Sequence, residues 1–224
     1  MLVERSLHPS WLSNAFLVAD EPGGVAVFVD SGAPLEPLLA AVERERVTPT
    51  HLLVTHGHAD HVAGNDELVE RFGVEVTSGP VATGGLRVDS LATPGHSDDG
   101  VSFIVGDLCF SGDTLFRDAV GGGPAEELRR SVMEVLMALP PETRVLPGHT
   151  DETTIGREWE ENPFVRYWRA LDGEDGRACT VHGDAATIVV WSPDYDGKGK
   201  ALVRLADGSE AIVGASRIQM GSDP

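Results

Sequence analysis

The stretch THGHADHVAGN, residues 55–65, sets His56, His58, Asp60 and His61 within six consecutive positions, directly after the apolar run HLLVT. A short apolar run of this kind reads as a buried strand. The imidazoles and the carboxylate therefore emerge where a strand runs out into a loop, which is where layered α/β scaffolds display functional groups. Three more places share that character: TPGHS at 93–97, SGDTLF at 111–116 and PGHT at 147–150. They add His96, Asp113 and His149, so that five of the eight histidines lie at strand ends.

Nitrogen and carboxylate oxygen without thiolate form a ligand set suited to zinc, and also to iron or manganese. An HxH pair can aim both rings at one ion, so His56 and His58, with His96 arriving from a distant loop, can hold one metal. Asp60 and His61 mark a neighbouring position that His149 can complete, and the carboxylate of Asp113 can bridge the two. Taken singly, His96 and His149 read as turn residues, Asp60 as a helix cap and Asp113 as a turn former. Together they have no economical structural explanation, and the convergence of donors points to a metal site.

Around these loops, apolar strands and amphipathic helices alternate, the pattern of an α/β layered fold. SNAFLVAD and GGVAVFVD read as a hairpin that ends at Asp30. Leu35, Leu38, Leu39 and Val42 recur at helical spacing and predict a helix over residues 34–46. A second helix is expected over NDELVERF, with Asn65 as cap and Gly73 as its end. VEVTSG, LRVDSLATPG, VSFIV and LCFSGD read as strands, with Gly106 and Asp107 as a hairpin turn. Pro124 suits the first position of a helix carrying Leu128, Val132 and Leu136, and a last helix is expected within 157–171. LDGEDGRA marks a linker near 172–177. The sequence thus divides into a catalytic domain over 1–172 and a small β-rich module over 178–224, too short to have much core of its own.

Bulk properties narrow the function. With 36 acidic against 17 basic residues, formally −19, the chain repels phosphate backbones and anionic lipid, which argues against nucleic acid and membrane as partners. Mean hydropathy of −0.08 fits an ordinary globule. The opening MLVERSLHPSW has no signal-peptide stretch, so the cytosol is the expected location. Two cysteines cannot make a disulfide framework, and Cys109 reads as a buried free thiol. A homodimer is the one protein partnership the sequence leaves open.

The HxHxDH run (His56, His58, Asp60, His61), followed by GH at His96, GD at Asp113 and GH at His149, resembles the metallo-β-lactamase superfamily, and within it the glyoxalase II-like (hydroxyacylglutathione hydrolase-like) group. Asp30 matches the early Asp of that family, which supports the metal site from behind; a helix cap is the alternative role. TTIGRE and NPF at 153–164 carry the likeness to about residue 170. The resemblance implies an αββα sandwich with two divalent metals at one edge, zinc foremost, and a bridging water activated to hydroxide near neutral pH. It makes Asp60 a ligand and the proton acceptor, and it implies a thioester or related acyl substrate. Where the family continues with a GCGR-like loop, this chain reads RDAVGGGPAEEL, which leaves the acyl carrier open between another thiol and a lactone- or β-lactam-type bond. Phe116 and Arg117 are the candidate substrate contacts in that loop. A persulfide dioxygenase of the same superfamily, with one iron held by His56, His96 and Asp113, is the rival reading.

Overall fold

The computed structural model of the chain describes residues 1–220; residues 221–224, the end of the expected C-terminal module, lie outside the described residues. Five strands, β1 (Leu2–Leu7), β2 (Asn14–Ala19), β3 (Val25–Val29), β4 (Thr48–Leu53) and β5 (Glu75–Thr77), form the first sheet in sequence order. The two crossovers, β3 to β4 and β4 to β5, are parallel. The first carries α1 (Glu36–Glu45), and the second carries the single turn α2 (Ala59–Val62) and α3 (Asn65–Phe72).

The continuous apolar character of β2, β3 and β4 has a direct cause, since a strand covered on both faces has no face left for polar residues. Ala15, Leu17, Ala26, Phe28 and Leu52 pack under α1 and α3 with Leu38, Leu39 and Leu68. The alternate residues Phe16, Val18, Val27, Val29 and Leu53 face the other way.

There they meet the second sheet. It comprises β6 (Val81–Thr83), β7 (Leu86–Ala92), β8 (Val101–Val105) and β9 (Leu108–Gly112), extended by β13 (Arg144–Pro147) and β14 (Thr153–Thr154). Phe103, Leu108, Phe110 and Leu146 fill the space between the sheets, with Phe16 and Phe110 meeting edge to face at 5.2 Å. The outer face of the second sheet, through Cys109 and Val145, is covered by α4 (Ala125–Arg130), α5 (Ile155–Glu161) and α6 (Pro163–Trp168). Helices, two sheets and helices are thus stacked in the expected αββα order. Cys109 is wholly buried, and burial pushes its thiol up to about 12.

Between β9 and α4 lie three two-residue strands, β10 (Leu115–Phe116), β11 (Ala119–Val120) and β12 (Gly123–Pro124). Only β12 leaves the main body. It pairs with β18 (Glu210–Gly214) in a sheet otherwise built from β15 (Ala178–Val181), β16 (Asp184–Ser192), β17 (Lys200–Leu205) and β19 (Ile218–Met220). Val189, Val190, Leu202 and Ile212 of this sheet share one apolar cluster with Phe116, Leu128 and Phe164.

LVERSL forms an edge strand, which its mixed charge conceals. Three local readings differ from the sequence expectation. Gly64 rather than Asn65 caps α3, while the Asn65 side chain accepts a hydrogen bond from Ser31 Oγ at 2.6 Å. Pro124 caps α4 instead of opening it, because its residue is already spent on the β12 pairing. The helix expected over 157–171 is two helices. Asn162 breaks it by capping α6 with its Oδ1, which accepts from Phe164 N, and Pro163 can donate no bond to continue α5. Among the described residues no helix is long and apolar enough to cross a membrane.

The inter-sheet layer predicts a clear asymmetry. Phe103→Ala should lower unfolding free energy by about 3–5 kcal/mol in urea titration, whereas Val3→Ala, on the exposed edge strand, should stay within about 0.5 kcal/mol.

Candidate metal centre

The parallel pairing of β3 and β4 brings their ends side by side, so that Asp30 and the THGHADH loop start from one edge of the sheet. Asp30 sits in the left-handed region, φ 56°, and is buried. Its Oδ1 accepts from Thr55 N at 2.8 Å, and its Oδ2 accepts from Thr55 Oγ1 at 2.7 Å and from His61 Nδ1 at 2.8 Å. An acceptor at Nδ1 places the ring proton there and leaves Nε2 as a lone pair directed away from Asp30.

The same device recurs twice. His56 Nδ1 lies 3.1 Å from Thr55 Oγ1, and His96 Nδ1 donates to the Gly122 carbonyl at 2.9 Å. Both rings are thereby turned so that Nε2 points inward. His56 Nε2 and His96 Nε2 each lie 3.0 Å from His58 Nδ1, which makes a convergent set of three imidazoles. Across from it, His149 Nε2 and Asp60 Oδ2 are 3.4 Å apart, and His61 Nε2 lies 3.7 Å from the same oxygen.

Asp113 stands between the two sets. Its Oδ1 is 3.4 Å from His61 Nε2, while its Oδ2 is 3.4 Å from His96 Nε2 and 3.3 Å from His149 Nε2. Ligand atoms on one tetrahedral ion with bonds of about 2.0–2.1 Å stand roughly 3.3–3.4 Å apart, so these spacings suit metal ligands. Among the described residues, three groupings are close enough for one ion each: His56, His58 and His96; His56, His61 and Asp113; and Asp60, His61 and His149. Two of them are the sets expected from the sequence.

The residues fit a cation on further grounds. His61 Nε2 and Asp113 Oδ1 are buried and have no hydrogen-bond partner among the described residues, which is costly unless a ligand satisfies them. A Cβ on Gly148 would fall 2.3 Å from Asp113 Oδ1 and 2.8 Å from His61 Cε1, so the backbone before His149 can approach only without a side chain. The electrostatics ask for positive charge. Burial would lower His61, yet Asp30 and Asp113 outweigh it and push the imidazole up to about 11. His149 rises to about 9 against its burial because of Asp113 and Asp60, while burial and the neighbouring His61 push His56 down to about 4. Against its own burial, Asp113 is held well below the usual carboxylate range by His149 and His61.

The loop behind Asp113 is fixed by the TTIGRE and NPF residues. Glu158, wholly buried, accepts from Asp118 N at 2.9 Å, from Thr153 Oγ1 at 2.5 Å and from Asn162 Nδ2 at 3.0 Å, and it pairs with Arg157 at 2.7 Å. On the opposite side, Asn14 donates to the Pro147 and Thr150 carbonyls at 2.9 Å each and so clamps the PGHT loop.

Of the two expected substrate contacts, Phe116 is 1% exposed and cannot meet a substrate; its ring packs edge-on against His149 at 5.8 Å. Arg117 does face solvent, on a cleft beside the centre. Trp11 lies on the surface, stacked on His8. Thr55, Gly148 and the Glu158 network were not singled out by spacing. Neither was Tyr195, whose ring stacks on His149 at 4.2 Å and 7°.

Comparison with known proteins places this geometry. Residues 9–83, which include the HxHxDH run, match the Metallo-beta-lactamase superfamily. The probable metallo-hydrolase YqgX of Bacillus subtilis is 31% identical over 193 residues, 67% of this chain and 90% of that protein. A hydroxyacylglutathione hydrolase of Xylella fastidiosa is 36% identical over 162 residues, 63% of this chain and 61% of its own length. Among solved structures, ETHE1 from Myxococcus xanthus superposes with a TM-score of 0.66 at 30% identity, covering 77% of this chain and 92% of that one. TTHA1623, crystallised in a di-iron-bound form, gives a TM-score of 0.59 at 34% identity, covering 71% and 98%.

If Asp30 acts by orienting His61, Asp30→Asn should leave the fold intact, since Asn also tolerates the left-handed conformation. Affinity for zinc, measured by chelator competition, should fall about 10–100-fold, the usual effect of losing such a supporting bond.

Proposed function

We propose that this chain, which belongs to the metallo-β-lactamase superfamily, is a dinuclear metal-dependent hydrolase of a thioester or related small acyl compound. The observation that carries the reading is the buried carboxylate of Asp113, set within 3.4 Å of donors from both sets, with one oxygen toward His61 and the other toward His96 and His149. His56, His58 and His96 would hold one ion, Asp60, His61 and His149 the second, and Asp113 both. Zinc suits the nitrogen and oxygen donors, with iron and manganese as alternatives. The likeness to a di-iron-bound structure supports a two-metal centre, and the likeness to a hydroxyacylglutathione hydrolase supports a thioester.

Such ions would supply Lewis acidity, making water nucleophilic near neutral pH and polarising the substrate carbonyl. The protein supplies orientation and proton handling. Asp60 is only partly buried, unlike Asp113, and it lies beside exposed His58 on the open side of the centre. His149 above all lowers its carboxyl, which keeps it ionised and able to accept the proton of an attacking water. Asp30, Thr55 and the Gly122 carbonyl hold three imidazoles in the tautomer that faces inward, and no protein nucleophile is needed.

A second reading, a persulfide dioxygenase with one iron on His56, His96 and Asp113, draws on the same two imidazoles and one carboxylate. Elemental analysis with matched assays separates the two. The hydrolase reading expects close to two ions per chain and turnover of S-lactoylglutathione or a simple S-acyl thioester. One iron per chain with oxygen uptake on glutathione persulfide would sink it. Asp113→Ala should lose both ions, and Asp60→Asn should lower kcat by about 10²–10⁴-fold.

A further inference from the structure

Tyr195 belongs to the turn between β16 and β17, in the C-terminal sheet, yet its ring lies parallel to His149 at 4.2 Å and edge-on to Phe116 at 5.6 Å. That placement is actively held. Asp194 accepts from Tyr195 N at 2.9 Å through one oxygen and pairs with Lys200 at 3.1 Å through the other. Both charged side chains are nearly buried, at 6% and 8% exposure. The Lys200 ammonium also sits over the Phe116 and Tyr195 rings, at 4.8 Å and 5.4 Å. A buried ion pair contributes little net stability, because desolvation offsets its attraction. Its effect here is to fix one turn against one histidine. Ser192 Oγ ties the same turn to the main body by donating to the Asp118 carbonyl.

Tyr195 also forms one wall of a cleft of about 420 Å³, shared with Leu7, Leu12, Arg117, Thr150 and Pro193. That volume falls in the range of small-molecule sites, about 300–1,000 Å³. None of the candidate metal donors lines this cleft, and the Tyr195 ring, stacked on His149, stands between the cleft and that histidine. Leu7, Leu12, Pro193 and the phenol face offer apolar contact, while Arg5 and Arg117 supply cations and Asp118, Asp151 and Asp194 carboxylates to the same cleft.

We propose that the Ser192–Lys200 turn is the specificity-determining wall of the metal centre, with Tyr195 limiting how deep an apolar acyl group enters the cleft. Asp194 and Lys200 are then positioning residues that act through Tyr195. This rests on the acyl-hydrolase reading for its assay, but not for its binding measurement.

The test compares acetyl, hexanoyl and decanoyl thioesters of N-acetylcysteamine on metal-loaded wild-type, Tyr195→Ala and Tyr195→Phe proteins, with metal content measured for each. Tyr195→Ala should retain its metal and raise the decanoyl-to-acetyl ratio of kcat/KM at least about tenfold, the scale on which an apolar pocket discriminates. Tyr195→Phe, which keeps the ring, should follow the wild type. An unchanged ratio in Tyr195→Ala at full metal content overturns the proposal. Calorimetric binding of acetate, hexanoate and decanoate to the same proteins gives the answer without turnover. If the wild type cleaves no thioester, the hydrolase reading fails, while a shift in the carboxylate preference of Tyr195→Ala still sustains the wall. The same carboxylate preference in both proteins, or no carboxylate binding at all, overturns it.

Discussion

The hydrogen bond from His61 Nδ1 to Asp30, 2.8 Å long and shut off from solvent, is the constraint on which the rest of the centre depends. It ties the end of β3 to the helical turn after β4, and through Thr55 it ties both to the end of β4 itself. Three segments that meet only because the sheet is parallel at this point are thereby locked in one orientation. The left-handed backbone at Asp30 is the local strain that comes with this arrangement. His61 can face Asp113 only because its other nitrogen is taken, and Asp113 can stand between two donor sets only because His61 is fixed.

Much of this was legible in the sequence, for reasons that differ from residue to residue. His56, His58, Asp60 and His61 are neighbours in the chain, so their shared purpose shows in their spacing. His96, Asp113 and His149 are isolated, and only their common position at strand ends connects them. The layered fold could be read because β2, β3 and β4 are buried on both faces and so lack any polar period. What stayed hidden depends on contacts between distant segments. Tyr195, an aromatic in the polar turn SPDYDGKG, reads as a residue that packs the terminal module on the main domain or on a second subunit, but nothing in the turn discloses that its partner is His149. The break at Asn162 was visible in retrospect, as an Asn-Pro pair inside a helical pattern. The inward turn of Phe116 is hidden because an aromatic ring after such a loop reads the same whether it lines a mouth or backs a histidine.

Support for the centre comes from two opposite flanks. On one, Asn14 clamps the loop of His149; on the other, Glu158 anchors the turn at Asp118 behind Asp113. The C-terminal sheet joins the second flank through Ser192 and by taking β12 as its own edge. The centre is therefore gripped by elements from both ends of the chain.

His149 is seated by an isolated bridge to Ser13, and its strand, β13, enters the second sheet parallel to β9. On the ribosome, the HxHxDH segment is synthesised long before the PGHT loop, and Ser13 waits for a partner that arrives late. Closure of so distant a pairing is slow compared with local folding. The nascent chain thus spends a period with His56, His58, Asp60 and His61 already made and His149 still to come. The grouping of Asp60, His61 and His149 is the last of the candidate donor sets to be completed, when the PGHT loop meets Ser13.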